Sequence, residues 1–143
     1  MMVFNTSFTL NSEEGTEVTD ITKLVREAIQ QSPISAGIAL INTLHTTCAV
    51  FINEFQSALL ADIKQFLEHV VARDAEWLHN DPAHSDCDRM NADSHLRALL
   101  LGHSMTLQIS GGEIVLGQWQ RVLMAELDGP RARSLRVQIV GLA

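Results

Sequence analysis

The chain gathers most of its ligand and proton-transfer groups into one stretch. Between Trp77 and His95 lie three histidines, His79, His84 and His95, four aspartates, Asp81, Asp86, Asp88 and Asp93, and Cys87. Imidazole has an ordinary pKa near 6.5, close to neutrality, and its neutral form binds transition metals. A mixture of nitrogen and oxygen donors suits zinc, manganese or iron better than calcium, which prefers oxygen alone. The spacing is not that of HExxH and is compatible with several coordination geometries, and equally with a solvated polar loop.

Two further groups lie outside that stretch. His45 stands among the hydroxyls of Thr43, Thr46 and Thr47, with Asn53-Glu54 one strand later. A histidine held by hydroxyls and faced by a carboxylate suits proton transfer or metal ligation, and suits equally a strand end whose hydrogen bonds it satisfies. Gly117-Gln118-Trp119-Gln120 places an indole and two amides after a glycine bend. That trio can stack on a flat ring and bond its edge, or Trp119 can anchor sheet packing. Arg131, Arg133 and Arg136 near the C-terminus read as a solvated strand edge or as a source of one phosphate contact, since alternation puts Arg136 on the opposite face from the other two. Cys48 sits in an apolar run and reads as packing, whereas Cys87 lies in the polar loop. No P-loop, GxGxxG or nucleophile elbow is present, so nucleotide-binding and serine-hydrolase readings fall away.

These groups need positioning. Phe4 to Leu10 reads as a strand, and Ile21, Leu24, Val25 and Ala28 have the spacing of a helix capped by Thr19 or Asp20 and ended before Pro33. Gly37 to Thr43 and Cys48 to Asn53 are short β-rich runs, which leaves His45 on the bend between them. Leu59, Leu60, Ile63, Phe66, Leu67 and Val70 repeat with a helical period to about Arg73, and Asn91 can cap a helix that Gly102 ends. The last third reads as a β-meander of Ser104 to Ile109, Glu113 to Leu116, Trp119 to Leu127 and Ser134 to Val140, with turns at Gly111-Gly112 and Asp128-Gly129-Pro130. Strands at both ends with helices between them predict an α+β fold on a largely antiparallel sheet or sandwich with two to three helices, one domain over 1–143.

Composition narrows the partners. Seventeen acidic residues against ten Lys and Arg give a net charge of −7, which argues against nucleic acid, whose affinity comes from clustered cations. Hydrophobic residues make up 46% and aromatics 5%, with no tyrosine, as in an aliphatic-cored folded domain. The start lacks the basic and apolar regions of a signal peptide, no window approaches a membrane span of roughly 18 apolar residues, and the two cysteines make no disulfide framework; a cytoplasmic protein is expected.

Taken together, His45-Thr-Thr-Cys-Ala with Asn53-Glu54, His79-Asn-Asp81, Asn91-Ala-Asp-Ser-His95-Leu96, Leu116-Gly-Gln-Trp-Gln120 and Glu126-Leu-Asp-Gly-Pro-Arg131 closely resemble the YjbQ family, in order and over nearly the whole chain. The resemblance implies a single-domain α+β protein forming a homotrimer and a thiamine-phosphate synthase activity that joins hydroxymethylpyrimidine diphosphate to thiazole phosphate with release of pyrophosphate. It implies His45, Glu54 and His95 as catalytic groups, and His45, His79, Asp81 and His95 as ligands of a divalent zinc, manganese or magnesium ion. Trp119, Gln120 and Arg131 would contact a small-molecule substrate. Two other readings share these residues: a metal- or small-ligand-binding trimer whose synthase activity is incidental, and a metal-dependent hydrolase.

Overall fold

The computed structural model describes residues 1–143, which form two antiparallel sheets and three α-helices. The strands are β1 (Met2–Asn11), β2 (Glu17–Asp20), β3 (Ala36–Thr43), β4 (Cys48–Asn53), β5 (Ser104–Ser110), β6 (Glu113–Ile114), β7 (Arg121–Glu126) and β8 (Ala132–Leu142). The helices are α1 (Thr22–Gln30), α2 (Ser57–Val70) and α3 (Ala92–Leu101). One sheet runs β1-β8-β3-β5-β6 and the other β2-β7-β4. This is the predicted α+β arrangement with three helices.

Side-chain alternation explains the layering. In β8, Arg133, Leu135, Val137 and Ile139 are buried while Ala132, Arg136 and Gln138 between them are exposed, so the five-stranded sheet has one wet face. Every residue of β7 from Val122 to Glu126 is buried, because the three-stranded sheet is covered on both sides. Cys48, Val50, Val122 and Met124 pack with Ile41, Leu135 and Ile139 of the larger sheet and with Ile21, Val25 and Ile29 around α1. Ala49, Ala125 and Leu127 face the other way, onto Leu67 of α2 and Ala98 of α3. Both helices are therefore tied to the sheet whose strands begin and end beside His45.

Local chemistry sets the element ends. Thr19 and Asp20 belong to β2, and the N-cap of α1 is Ile21, which offers no side-chain acceptor. Asp20 Oδ1, one residue earlier, accepts from Thr22 N at 3.0 Å and Thr22 Oγ1 at 2.6 Å and so satisfies the first helical N–H. Gly102 ends α3 with φ of 110°, a conformation open to glycine. The expected meander over the last third does not form. Only β5 and β6 make a hairpin; β7 crosses to the second sheet between β2 and β4, and β8 returns between β1 and β3. Turn residues report that the chain bends, not which sheet the next strand joins.

Gly37 and Gly141 lie opposite each other in the β3–β8 ladder. A Cβ on Gly37 would fall on Val140 O, and one on Gly141 on Ala36 O. Gly37→Val is therefore expected to lower stability by about 1–3 kcal/mol through overpacking, measured by urea denaturation against wild type.

Candidate ligand site

His45 sits on the bend between β3 and β4, where its backbone N donates to Thr43 Oγ1 at 3.2 Å. Its Nε2 accepts from Ser134 N at 2.8 Å. That bond settles the tautomer: the lone pair of Nε2 is used, so the neutral ring carries its proton on Nδ1 and presents an N–H donor. Burial first, then the charges of Arg133 and Arg131, push its pKa below the ordinary imidazole value against the opposing pull of Glu126. In this hydrogen-bonded state His45 is a neutral donor with no lone pair left to offer a metal.

The bend is held by a buried ion pair. Arg133 Nε donates to Glu126 Oε1 at 2.8 Å, and Nη2 bonds Glu126 Oε2, Thr47 O at 3.0 Å and Thr47 Oγ1 at 2.8 Å. Glu126 Oε1 also accepts from Ser12 Oγ at 2.6 Å, and Oε2 from Asp128 N at 3.1 Å. Both side chains are buried, at 1% and 0% exposure. The expected solvated edge thus holds a buried arginine at Arg133, because strand alternation points it between the sheets. Burial pushes the Glu126 carboxyl up, but the bonds from Arg133, Ser12 and Asp128 outweigh it and hold the pKa below the usual value.

A second relay runs through the acid-rich stretch. Asp128 Oδ2 accepts from Arg89 Nε at 2.8 Å and from Asn91 Nδ2 at 2.9 Å. The Asn91 amide therefore turns its oxygen toward His79, whose Nε2 lies 3.0 Å from Oδ1. Only an N–H can sit there, so His79 is protonated on Nε2 when neutral and keeps its Nδ1 lone pair free. Its ring meets that of His95 edge to face, with centroids 4.9 Å apart. Burial, and then the nearby His79, lower the pKa of His95 against the opposing Asp128 and Asp93. Asn91 is consequently a relay group, and its expected cap on α3 is supplied instead by Asn80, whose Oδ1 accepts from Ala92 N at 3.0 Å.

His45 and His95 line one cleft of about 540 Å³, with Leu96, Leu99, Thr46 and His103 among the other walls. A neighbouring cavity of about 360 Å³ shares His95 and Leu96 and adds Trp77 and His79. Trp77, fixed by its Nε1 donating to Ala72 O at 2.8 Å, is the indole beside the histidines. His103 escaped the sequence reading because nothing adjacent marks it; it reaches the cleft only through the pairing of Thr43 N with His103 O.

The remaining sequence-predicted residues lie elsewhere. Asp81 accepts from Ala83 N at 2.9 Å and His84 Nδ1 at 2.8 Å, a local carboxylate–histidine pair. The Cys87 thiol reaches only Asn91 Oδ1, at 3.8 Å. Arg131 lies 3.5 Å from Asp128 Oδ2, at the edge of the relay. Trp119 is 66% exposed, and Gln120 folds back so that its Oε1 accepts from Gly117 N at 2.7 Å. The β4–β7 ladder explains the separation. Cys48 pairs with Glu126 at the His45 end, and Asn53 with Arg121 at the other, where Glu54 directly follows Asn53 and Trp119 and Gln120 directly precede Arg121. Five residue steps of about 3.3 Å put roughly 16 Å between these ends.

No three of the chain's His, Cys, Asp or Glu side chains are grouped to hold a metal ion. His79 and His95 meet only as a pair, Asp81 is bonded to His84, and His45 to Ser134. The donor set of one chain does not fit a resident divalent ion. No helix is long and apolar enough to cross a membrane.

Comparison with known proteins agrees with this architecture. A protein-family model described as "UPF0047 protein YjbQ-like" matches residues 6–142. A UPF0047 protein of Methanothermobacter thermautotrophicus is 43% identical over 99% of this chain and 94% of its own. The Bacillus subtilis protein YugU, also of UPF0047, is 30% identical over 87% of this chain and 90% of its own. Among solved structures, a YbjQ-like protein of unknown function from Sulfolobus solfataricus superposes with a TM-score of 0.90 at 33% identity, covering 98% of each chain. A YjbQ/UPF0047 protein of Clostridium acetobutylicum gives 0.85 at 30% identity, over 94% of this chain and 99% of its own. With the match spanning nearly every element from β1 to β8, the chain belongs to the UPF0047 (YjbQ-like) family.

Proposed function

We propose that the chain is a cytoplasmic transferase of the thiamine-phosphate synthase type, working as a homotrimer. The observation that carries this reading is a cleft large enough for one small heterocycle, with an N–H donor, His45, and a second imidazole of lowered pKa, His95, among its walls. In the reaction the thiazole nitrogen attacks the pyrimidine methylene carbon, a C–N bond forms, and the C–O bond to the diphosphate breaks with its electron pair leaving on pyrophosphate. His45 Nδ1–H donates to oxygen as negative charge develops there, and His95 and His79 bond the ring edge. A divalent ion enters this scheme as part of the substrate, carried by the diphosphate, in keeping with the way magnesium binds through phosphate oxygens.

The trimer completes the site in this reading. Glu54, Trp119 and Gln120 are at the far end of the β4–β7 ladder from His45, and we propose that a second copy supplies them to the cleft. Half-exposed Phe66 and Val70 on α2, together with Phe55, are among the exposed apolar side chains open to that contact. Light scattering at micromolar concentration is expected to give three chains per particle; a monomer would remove this arrangement.

The test is pyrophosphate release from the two substrates with magnesium. Turnover by wild type and its loss in His45→Ala support the transferase. A second reading, a small-ligand-binding protein, is favoured by the absence of any carboxylate among the cleft walls. Saturable binding of the pyrimidine without pyrophosphate release selects it. A metal-dependent hydrolase draws no support from the donor set of the chain.

A further inference from the structure

On the other side of α3 lies a smaller cavity of about 200 Å³, lined by Arg73, Arg89, Arg97, Asn91, Asp93 and Asp128 with a few small neighbours. Three guanidinium groups meet two carboxylates there, a local excess of positive charge in a chain of net charge −7. One carboxylate, Asp128, is fully engaged, and the other, Asp93, faces Arg97 as an ion pair without a hydrogen bond. Asp128 accepts from Arg89 and Asn91, and Asp93 Oδ2 lies 3.6 Å from Arg97 Nη1. Arg73 is exposed and makes no ion pair within 4.0 Å.

Arg97 is the decisive group. Its residue is only 6% exposed, and its Nε and Nη2 donate to Val71 O at 3.3 and 2.9 Å. Its Nη1 makes no hydrogen bond, since the Asp93 oxygen at 3.6 Å is beyond reach. No fully enclosed polar side-chain atom lacks a partner, so Nη1 opens onto accessible space, and the cavity is the space its residue lines. A buried arginine whose guanidinium is fixed along one edge by the Val71 carbonyl, with Nη1 left without an acceptor beside a polar cavity, suits an oxyanion. The cavity is also at the start of α3, where the helix dipole favours negative charge.

We propose that this cavity is an oxyanion subsite, sized for a single phosphate group held by Arg97 Nη1 and Arg73, with Arg89 kept in place by Asp128. The subsite does not depend on the synthase reading: it requires only that a phosphate, free or at the end of a larger ligand, be recognised. It also separates the arginines by role. Arg121, on Asp20 at 2.7 Å, and Arg133, on Glu126, are structural.

The test is a titration of the full-length protein with inorganic phosphate at constant ionic strength, followed by backbone amide NMR shifts. Saturable shifts are expected at Asp93, Ser94 and Gly129, with dissociation constants about tenfold weaker in Arg73→Ala, in line with the strength of one charge-assisted hydrogen bond. Arg97→Lys, with its fold checked by circular dichroism, is expected to abolish the shifts. Arg136→Ala, on the exposed face of β8, is the control and should bind as wild type does. Absence of saturable shifts, or equal weakening by Arg73→Ala and Arg136→Ala, would overturn the subsite. Neither result bears on pyrophosphate release, so failure here and failure of the transferase reading remain distinguishable.

Discussion

Replacing Arg133 by methionine is expected to cost about 3–5 kcal/mol of folding free energy, the largest single-residue effect in the molecule. The change leaves the Glu126 carboxylate fully buried without its ion-pair partner and leaves Thr47 O and Oγ1 without their donor. For a chain of this size the midpoint of thermal unfolding should fall by roughly 10 °C. The contact is not irreplaceable in principle. Two buried charges give back in mutual attraction much of what desolvation costs, so the double variant Arg133→Met with Glu126→Leu should recover most of the lost stability. A single variant as stable as wild type in urea would show that water reaches Glu126, contrary to its complete burial.

The same pair fixes a pH dependence. The folded-state pKa of Glu126 is depressed, so its contribution is complete above the ordinary glutamate value and is lost as pH falls through the lowered one. Wild type should therefore lose stability more steeply than the double variant, which lacks the titrating group, as pH falls below the ordinary glutamate value.

The second large effect is on turnover. His45→Ala is expected to lower kcat/KM for pyrophosphate release by about 10² to 10³, the range seen when one preorganised donor to developing negative charge is removed. The substitution also deprives Ser134 N of its acceptor, at a cost of about 1–3 kcal/mol, so activity must be measured well below the unfolding midpoint. A pH profile separates chemistry from structure. Because burial and the charges of Arg133 and Arg131 hold the His45 pKa down, protonation of Nε2, which breaks the bond from Ser134 N that orients the ring, occurs only below pH 6.5, and the acid limb of the wild-type profile should lie under that value. Activity unchanged in His45→Ala would remove the residue from the reaction.

Arg133 also shows how the two effects join. It immediately precedes Ser134, whose N–H holds His45, and it binds Thr47, two residues beyond His45. The buried pair thus clamps both sides of the bend that displays the histidine. Nothing in Ala132-Arg133-Ser134 as text distinguishes Arg133 from Arg131 or Arg136. Burial between two sheets makes the difference, and burial depends on which strand lies opposite.

Much was nevertheless legible. The apolar spacing of Leu24, Val25 and Ala28 and of Ile63 and Leu67, the alternation in Phe4, Phe8 and Leu10, and the glycines at turns are local properties, and the elements they predict are present. The bend at His45 and the burial of Cys48 followed from the same patterning. Periodicity and backbone freedom act over one or two turns of chain, so a reader of the sequence has all the information they use.

Tertiary structure decided the rest, because partner choice is long-range. Whether β7 continued the last hairpin or crossed to pair with β2 and β4 depended on burying both of its faces, which no local pattern encodes. That crossing set Trp119, Gln120 and Glu54 at one end of a ladder and His45 at the other. It also brought Asp128 onto Asn91 and, through it, oriented His79 toward His95. The amino-acid sequence by itself determined which groups are able to do chemistry; the packing of two sheets against α2 and α3 determined which of them meet, which ring nitrogen each histidine presents, and which arginine is buried with donors to spare.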